Sequence, residues 1–165
     1  MGQVTVFALR AVLTALLLGS VGVQGLLVPL LANDLEGLNE QYAHLRLPLL
    51  LIVLLGVVSA QVVLVCVWRL VTMVRRGTVF SHAAFRYVHV VIGAFVAAAL
   101  LVFALGTLLA PGEAVAPGIV LLIGGAGLAV LGVALVVLVL RMLLAQAVAR
   151  DLEAARMRDE LAEVI

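Results

Sequence analysis

The sequence predicts an all-α polytopic membrane protein: four transmembrane helices in an antiparallel bundle, the last continuing into a cytoplasmic helical extension. Three observations carry this. Of 165 residues, 66% are hydrophobic and 12% charged, and the mean hydropathy is +1.35; soluble domains are about 45–50% apolar and about a quarter charged. The apolar residues fall into four long runs. All but one of the arginines gather on one side of the runs, and the connection after the first run is acidic. So little polar surface cannot enclose so much apolar chain in water, so the bilayer is the solvent and the first partner.

A spanning helix needs about 20 mostly apolar residues. The first run covers about Phe7–Leu31, the second about Leu47–Val71, the third about Val88–Leu109 and the fourth about Gly118–Leu140. None alternates apolar with polar residues, as strands of a membrane barrel would. The chain reads as a single membrane domain over 1–165, with 141–165 as a tail continuing the fourth span. The first span is read as retained. Its apolar region is longer than the about 7–15 residues usual for a secretory signal, and only Arg10 precedes it.

The connections set the direction. Asn33–Arg46 carries Asp34, Glu36, Glu40 and one arginine, Arg46, and Ala110–Pro117 carries Glu113. All the remaining arginines lie on the other side: Arg10, Arg69, Arg75, Arg76, Arg86, Arg141, Arg150, Arg156 and Arg158. Arginine-rich connections stay in the cytoplasm, so both termini are expected inside a cell membrane. Between the second and third spans, Arg75 and Arg76 suit the negative end of a helix dipole. Gly77 follows as a C-cap. Ser81 then suits the N-cap of the third helix, with Phe80 as its hydrophobic staple. Trp68 and Tyr87 fit an aromatic belt at that interface.

These connecting motifs carry a resemblance. Val67-Trp-Arg-Leu-Val-Thr-Met-Val-Arg-Arg-Gly-Thr-Val-Phe-Ser81, Phe85-Arg-Tyr-Val88 and the acidic end Glu160-Leu-Ala-Glu-Val-Ile165 together resemble a bacterial family of small four-helix membrane proteins catalogued as a domain of unknown function, number 2975. The resemblance covers nearly the whole chain. It brings no catalytic residues. Some members are encoded beside small helix-turn-helix regulators, so it implies a regulatory setting.

Small residues recur four apart at Ala15/Gly19, Gly56/Ala60, Gly93/Ala97 and Gly125/Ala129, a spacing that lets helix backbones approach closely. With Gly124, Gly125, Gly127 and Gly132, the fourth span is expected to pack inward along thin faces.

Candidates for chemistry are few. His89, just inside the third span, has the side chain of a haem ligand or proton carrier, but no second intramembrane histidine completes a bis-histidine site; an interfacial role is the simpler reading. Gln24, Ser59 and Gln61 either line a polar path or hydrogen-bond between helices, and packing is the commoner use. No Asp, Glu or Lys sits in the centre of a span, which weighs against proton-coupled export. Glu40 and His44 stand four apart near Asp34 and Glu36; two ligands at that spacing make a poor metal site, and a solvated acidic loop explains them. Cys66 reads as a small packing residue. No cofactor is expected, and the net charge of +1 gives no basis for nucleic-acid binding.

The tail from Arg141 to Ile165 contains neither Gly nor Pro and is rich in strong helix formers. Leu144, Val148, Leu152 and Ala155 form one apolar stripe, and Met157, Leu161 and Val164 form a second, offset one. Two readings stand side by side: a solvated continuation of the fourth helix, or a helix that docks a protein or a second copy of this chain. The expected function is a non-enzymatic protein-interaction or regulatory component of the bacterial cell envelope. The alternative is a small transporter or transporter subunit.

Overall fold

The computed structural model describes residues 3–36, 43–75, 82–111 and 115–164, and their regular structure is entirely helical. Helix α1 (Gln3–Gly22) passes through a π-helical turn (Val23–Leu27) into α2 (Val28–Glu36). Three long helices follow: α3 (Ala43–Arg75), α4 (His82–Leu109) and α5 (Pro117–Val164). Four stretches are long and apolar enough to cross a membrane, namely Val6–Asp34, His44–Met73, Phe85–Leu109 and Pro117–Ala162.

The helices outrun the hydrocarbon. A helix closes its backbone hydrogen bonds internally, so once nucleated in lipid it continues until the sequence stops it. Thus α3 starts at Ala43, before the apolar run, and tolerates Pro48 inside it; the proline removes one hydrogen bond that would otherwise reach the His44 carbonyl. Pro117 opens α5, where its missing N–H costs nothing. No glycine or proline interrupts α5 after Gly132. At about 1.5 Å per residue, its 48 residues extend about 72 Å, more than twice the roughly 30 Å of hydrocarbon.

The packing order is serial. The first rod packs on α3, α3 on α4, and α4 on α5. The α4–α5 seam contains the closest approach recorded at a glycine: a Cβ on Gly127 would stand 3.1 Å from the Phe103 ring, and one on Gly106 would stand 3.4 Å from Ile123. The thin-face expectation is therefore met only in part. Gly19, Gly56, Gly93, Gly124, Gly125 and Gly132 face open space, so those positions do not draw helices together.

Few side chains are buried. Among the described residues the apolar core is Leu13, Cys66, Val91, Ala99 and Ala134, whereas Phe7, Leu100, Leu121, Leu122 and Leu128 point outward. Such an inside-out distribution would collapse or aggregate in water; in lipid it costs nothing, because acyl chains are as apolar as leucine.

Candidate functional site

Polar side chains inside an apolar bundle must find partners, and two groups of them tie the first rod to α3. At one end, Arg10 donates from Nη2 to Thr72 Oγ1 at 3.1 Å, and its guanidinium carbon lies 5.7 Å from the centroid of the Trp68 ring. Thr72 in turn donates to the Trp68 carbonyl at 2.9 Å. The Arg10 guanidinium thus lies over an aromatic face, a contact worth about 0.5–2 kcal/mol depending on desolvation.

Deeper in, Gln24 and Gln61 exchange amide hydrogen bonds, Nε2 to Oε1, at 3.3 and 3.1 Å. Gln61 Nε2 also donates to Ser20 Oγ at 3.2 Å, and Ser20 donates to the Leu17 carbonyl at 2.8 Å. Gln24 sits on the π-helical turn Val23–Leu27. One extra residue in a turn rotates the following side chains relative to a regular helix. Along the rod, Gln24 is about 21 Å from Arg10 and about 15 Å from Asp34 at 1.5 Å per residue, far from either interface. Both amide N–H groups of Gln61 are used within the cluster, so it reads as an interhelical clasp, with no titratable group beside it to move a proton.

Next to this clasp is an apolar crevice of about 630 Å³ where all four spans meet. Small residues make it: Ala15 and Gly19 from α1, Gly56 and Ala60 from α3, Ala94 and Ala98 from α4. Val130 represents α5, and Ser20 and Ser59 supply the hydroxyls among the described lining residues. The four-residue spacings in α1 and α3 therefore leave a gap where close backbone contact was expected.

The remaining sequence candidates divide by location. Trp68 is half-buried under Arg10; Arg69 and Arg86 are exposed. Arg75 ends α3, while Arg76, Phe80 and Ser81 lie outside the described residues, as does Glu40. Asp34, His44 and His89 are exposed, Cys66 is buried, and no group of three metal-ligating side chains occurs among the described residues. In the tail, Leu144, Leu152, Met157 and Leu161 are exposed, Val148 is half-exposed, and Val164 is the last residue of α5.

Sequence reasoning did not find the Arg10–Trp68–Thr72 group. The signal was available. In a helical hairpin, residues equally far from the turn lie level with each other, and Arg10 and Thr72 stand almost equally far from the middle of the Asn33–Arg46 connection.

The motifs noted in the connections and at the acidic end agree with the family comparison, whose match runs over residues 30–165. The chain belongs to the family described as Protein of unknown function (DUF2975). The matched region takes in the end of the first rod and all of α3, α4 and α5; the clasp residues Ser20 and Gln24 lie before it. No curated protein and no solved structure gives a significant match to the chain.

Proposed function

We propose that this DUF2975 member is a non-enzymatic membrane component that presents the projecting half of α5 to a protein partner in the cytoplasm, within envelope regulation. The observation that carries the reading is the length of α5. From Arg141 to Val164 the helix continues about 35 Å beyond the span at 1.5 Å per residue. Along 142–162 every residue is exposed except the half-exposed Val148.

At 100° per residue, Leu144, Val148, Leu152 and Ala155 fall on one side of this rod. Met157, Leu161 and Val164 fall on nearly the opposite side. Two apolar patches in succession, separated by Asp151, Glu153 and Arg156, fit helix-in-groove recognition better than adsorption to a membrane, because anionic headgroups repel the acidic end. The same two patches suit a second copy of the chain, so a homo-oligomer is the competing form of partner.

The antiparallel, both-ends-inside arrangement is part of the proposal. In its favour, Arg10 meets Thr72 and Gln24 meets Gln61, so one chain segment rises as the other falls. Gly106 with Ile123 and Gly127 with Phe103 follow the same rule. The arginine bias then sets the sign.

A second reading, a small transporter or transporter subunit, draws on the 630 Å³ crevice beside Ser20 and Ser59. The clasp beside it holds no ionisable group, which is why this reading ranks second.

A photo-crosslinking residue placed at Leu152, Met157 or Leu161 and activated in native membranes tests the proposal. The expected result is a discrete crosslinked protein, identified by mass spectrometry, that is absent when the same residue stands at Asp151 or Leu128. Crosslinks to lipid alone at all of these positions would overturn it, and a crosslink only to a second copy would replace the partner with self-association.

A further inference from the structure

At the arginine-bearing end of the α4–α5 seam, a cleft of about 460 Å³ opens between the first turns of α4 and the point where α5 leaves its apolar run. Its lining is Phe85, Arg86, His89 and Val90 from α4 and Arg141 from α5. Two guanidinium groups and an imidazole thus share one hollow, and no carboxylate lines it among the described residues.

Arg141 supplies the second observation. Its Nε is buried and, like that of Arg10, has no hydrogen-bond partner within the protein. A buried donor without an acceptor is costly, and native structures rarely leave one. An acceptor with more than one oxygen suits the site, because a guanidinium presents its donors as a planar fork that matches carboxylate and phosphate geometry.

The surroundings favour a lipid as the source of those oxygens. Phe85 and Val90 wall the cleft with apolar surface, and Leu140 and Leu144, exposed on either side of Arg141, continue it along α5. A ligand that fills this place has an anionic head and apolar chains. It enters at the boundary where the span ends, the depth of a headgroup.

We propose that the cleft formed by Arg86, His89 and Arg141 binds the phosphate of an anionic lipid headgroup, with the acyl chains lying along the α4–α5 surface. The inference is independent of the protein partner: it needs only that α4 and α5 span a bilayer.

Native mass spectrometry of the detergent-solubilised full chain tests it, with phosphatidylglycerol and phosphatidylcholine offered separately. Retention of phosphatidylglycerol is expected to exceed that of phosphatidylcholine, whose choline is repelled by the basic cleft. Arg86→Gln and Arg141→Gln should each weaken retention about five- to tenfold, while Arg150→Gln, which removes the same charge outside the cleft, leaves it unchanged. Arg141→Lys, which keeps the charge but loses the fork, should fall between; it also guards against a folding defect, as do unchanged helical content and elution volume. Equal retention of the two lipids, or an equal loss in Arg150→Gln, would overturn the assignment. Displacement of phosphatidylglycerol by millimolar glycerol 3-phosphate would overturn the lipid as source and assign the cleft to a soluble phosphate ester.

Discussion

Leu128 in the spanning half of α5 and Leu152 in its projecting half are almost equally exposed, 63% and 60%, yet they stand in different company. Around Leu128 the helix reads Ile123-Gly-Gly-Ala-Gly-Leu-Ala-Val-Leu131, without a charge; around Leu152 it reads Val148-Ala-Arg-Asp-Leu-Glu-Ala-Ala-Arg156. Exposure alone does not tell lipid-facing from water-facing surface. The residues interleaved with the leucines do, because a charge beside an apolar side chain is cheap in water and expensive in lipid. In the proposed arrangement, one continuous helix passes from lipid to water near Arg141 without changing backbone geometry.

The largest effect should come from placing the same charge in each half. Leu128→Arg is expected to cost about 2.5–3.5 kcal/mol of insertion free energy, the translocon value for the centre of a span, whereas Leu152→Arg should stay within about 0.5 kcal/mol. A membrane-insertion assay for the first and denaturant unfolding in micelles for both would measure this. Similar costs at the two sites would erase the distinction.

A smaller effect separates the two sides of the spanning half. Gly127 lies against Phe103 and Gly125 faces open space. Gly127→Leu should therefore destabilise the bundle by about 1–3 kcal/mol through overpacking. Gly125→Leu should shift the thermal midpoint in detergent little or not at all. Comparable losses would mean that the open face is covered by something, a second copy being the first candidate.

The smallest contrast concerns polar groups. Gln61→Leu removes its two N–H donors and the carbonyl that accepts from Gln24; about 0.6–2 kcal/mol is expected. Arg156→Gln removes at most the attraction to Asp159 or Glu160 that three- and four-residue spacing permits, worth about 0.2–0.5 kcal/mol. Thermal unfolding in detergent, run at low and high salt, would distinguish them, since the tail pair alone should fade with salt.

How much of this was legible follows from the same physics. Hydropathy is a local property, so four apolar helices and the family could be read directly, down to Leu109 as the end of the third span and of α4. The basic turn likewise agrees with α3 ending at Arg75 and α4 starting at His82, whereas the start of α3 could not be read, because internal hydrogen bonding carries it back to Ala43, beyond the hydrocarbon that the apolar run measures. The π-helical turn at Val23–Leu27 has no residue signature in Val-Gln-Gly-Leu-Leu. The small-residue spacings misled because four-residue spacing places residues on one face without fixing what that face meets. Among the described glycines only Gly106 and Gly127 found close neighbours. The Arg10–Thr72 bond joins residues 62 apart in sequence, and the Arg86–His89–Arg141 cleft joins two helices; both depend on how the helices are packed, which periodicity does not encode.

The change of solvent along α5 is tested most directly by single cysteines at Leu128, Val136, Leu152 and Met157 in a Cys66→Ala background. A membrane-impermeant maleimide is applied to intact cells and to inverted vesicles stripped of peripheral proteins. The expected result is labelling of Leu152→Cys and Met157→Cys in inverted vesicles only, with Leu128→Cys and Val136→Cys unlabelled in both. Labelling of Leu152→Cys from outside, or its protection in stripped vesicles to the level of Leu128→Cys, would contradict the projecting cytoplasmic rod.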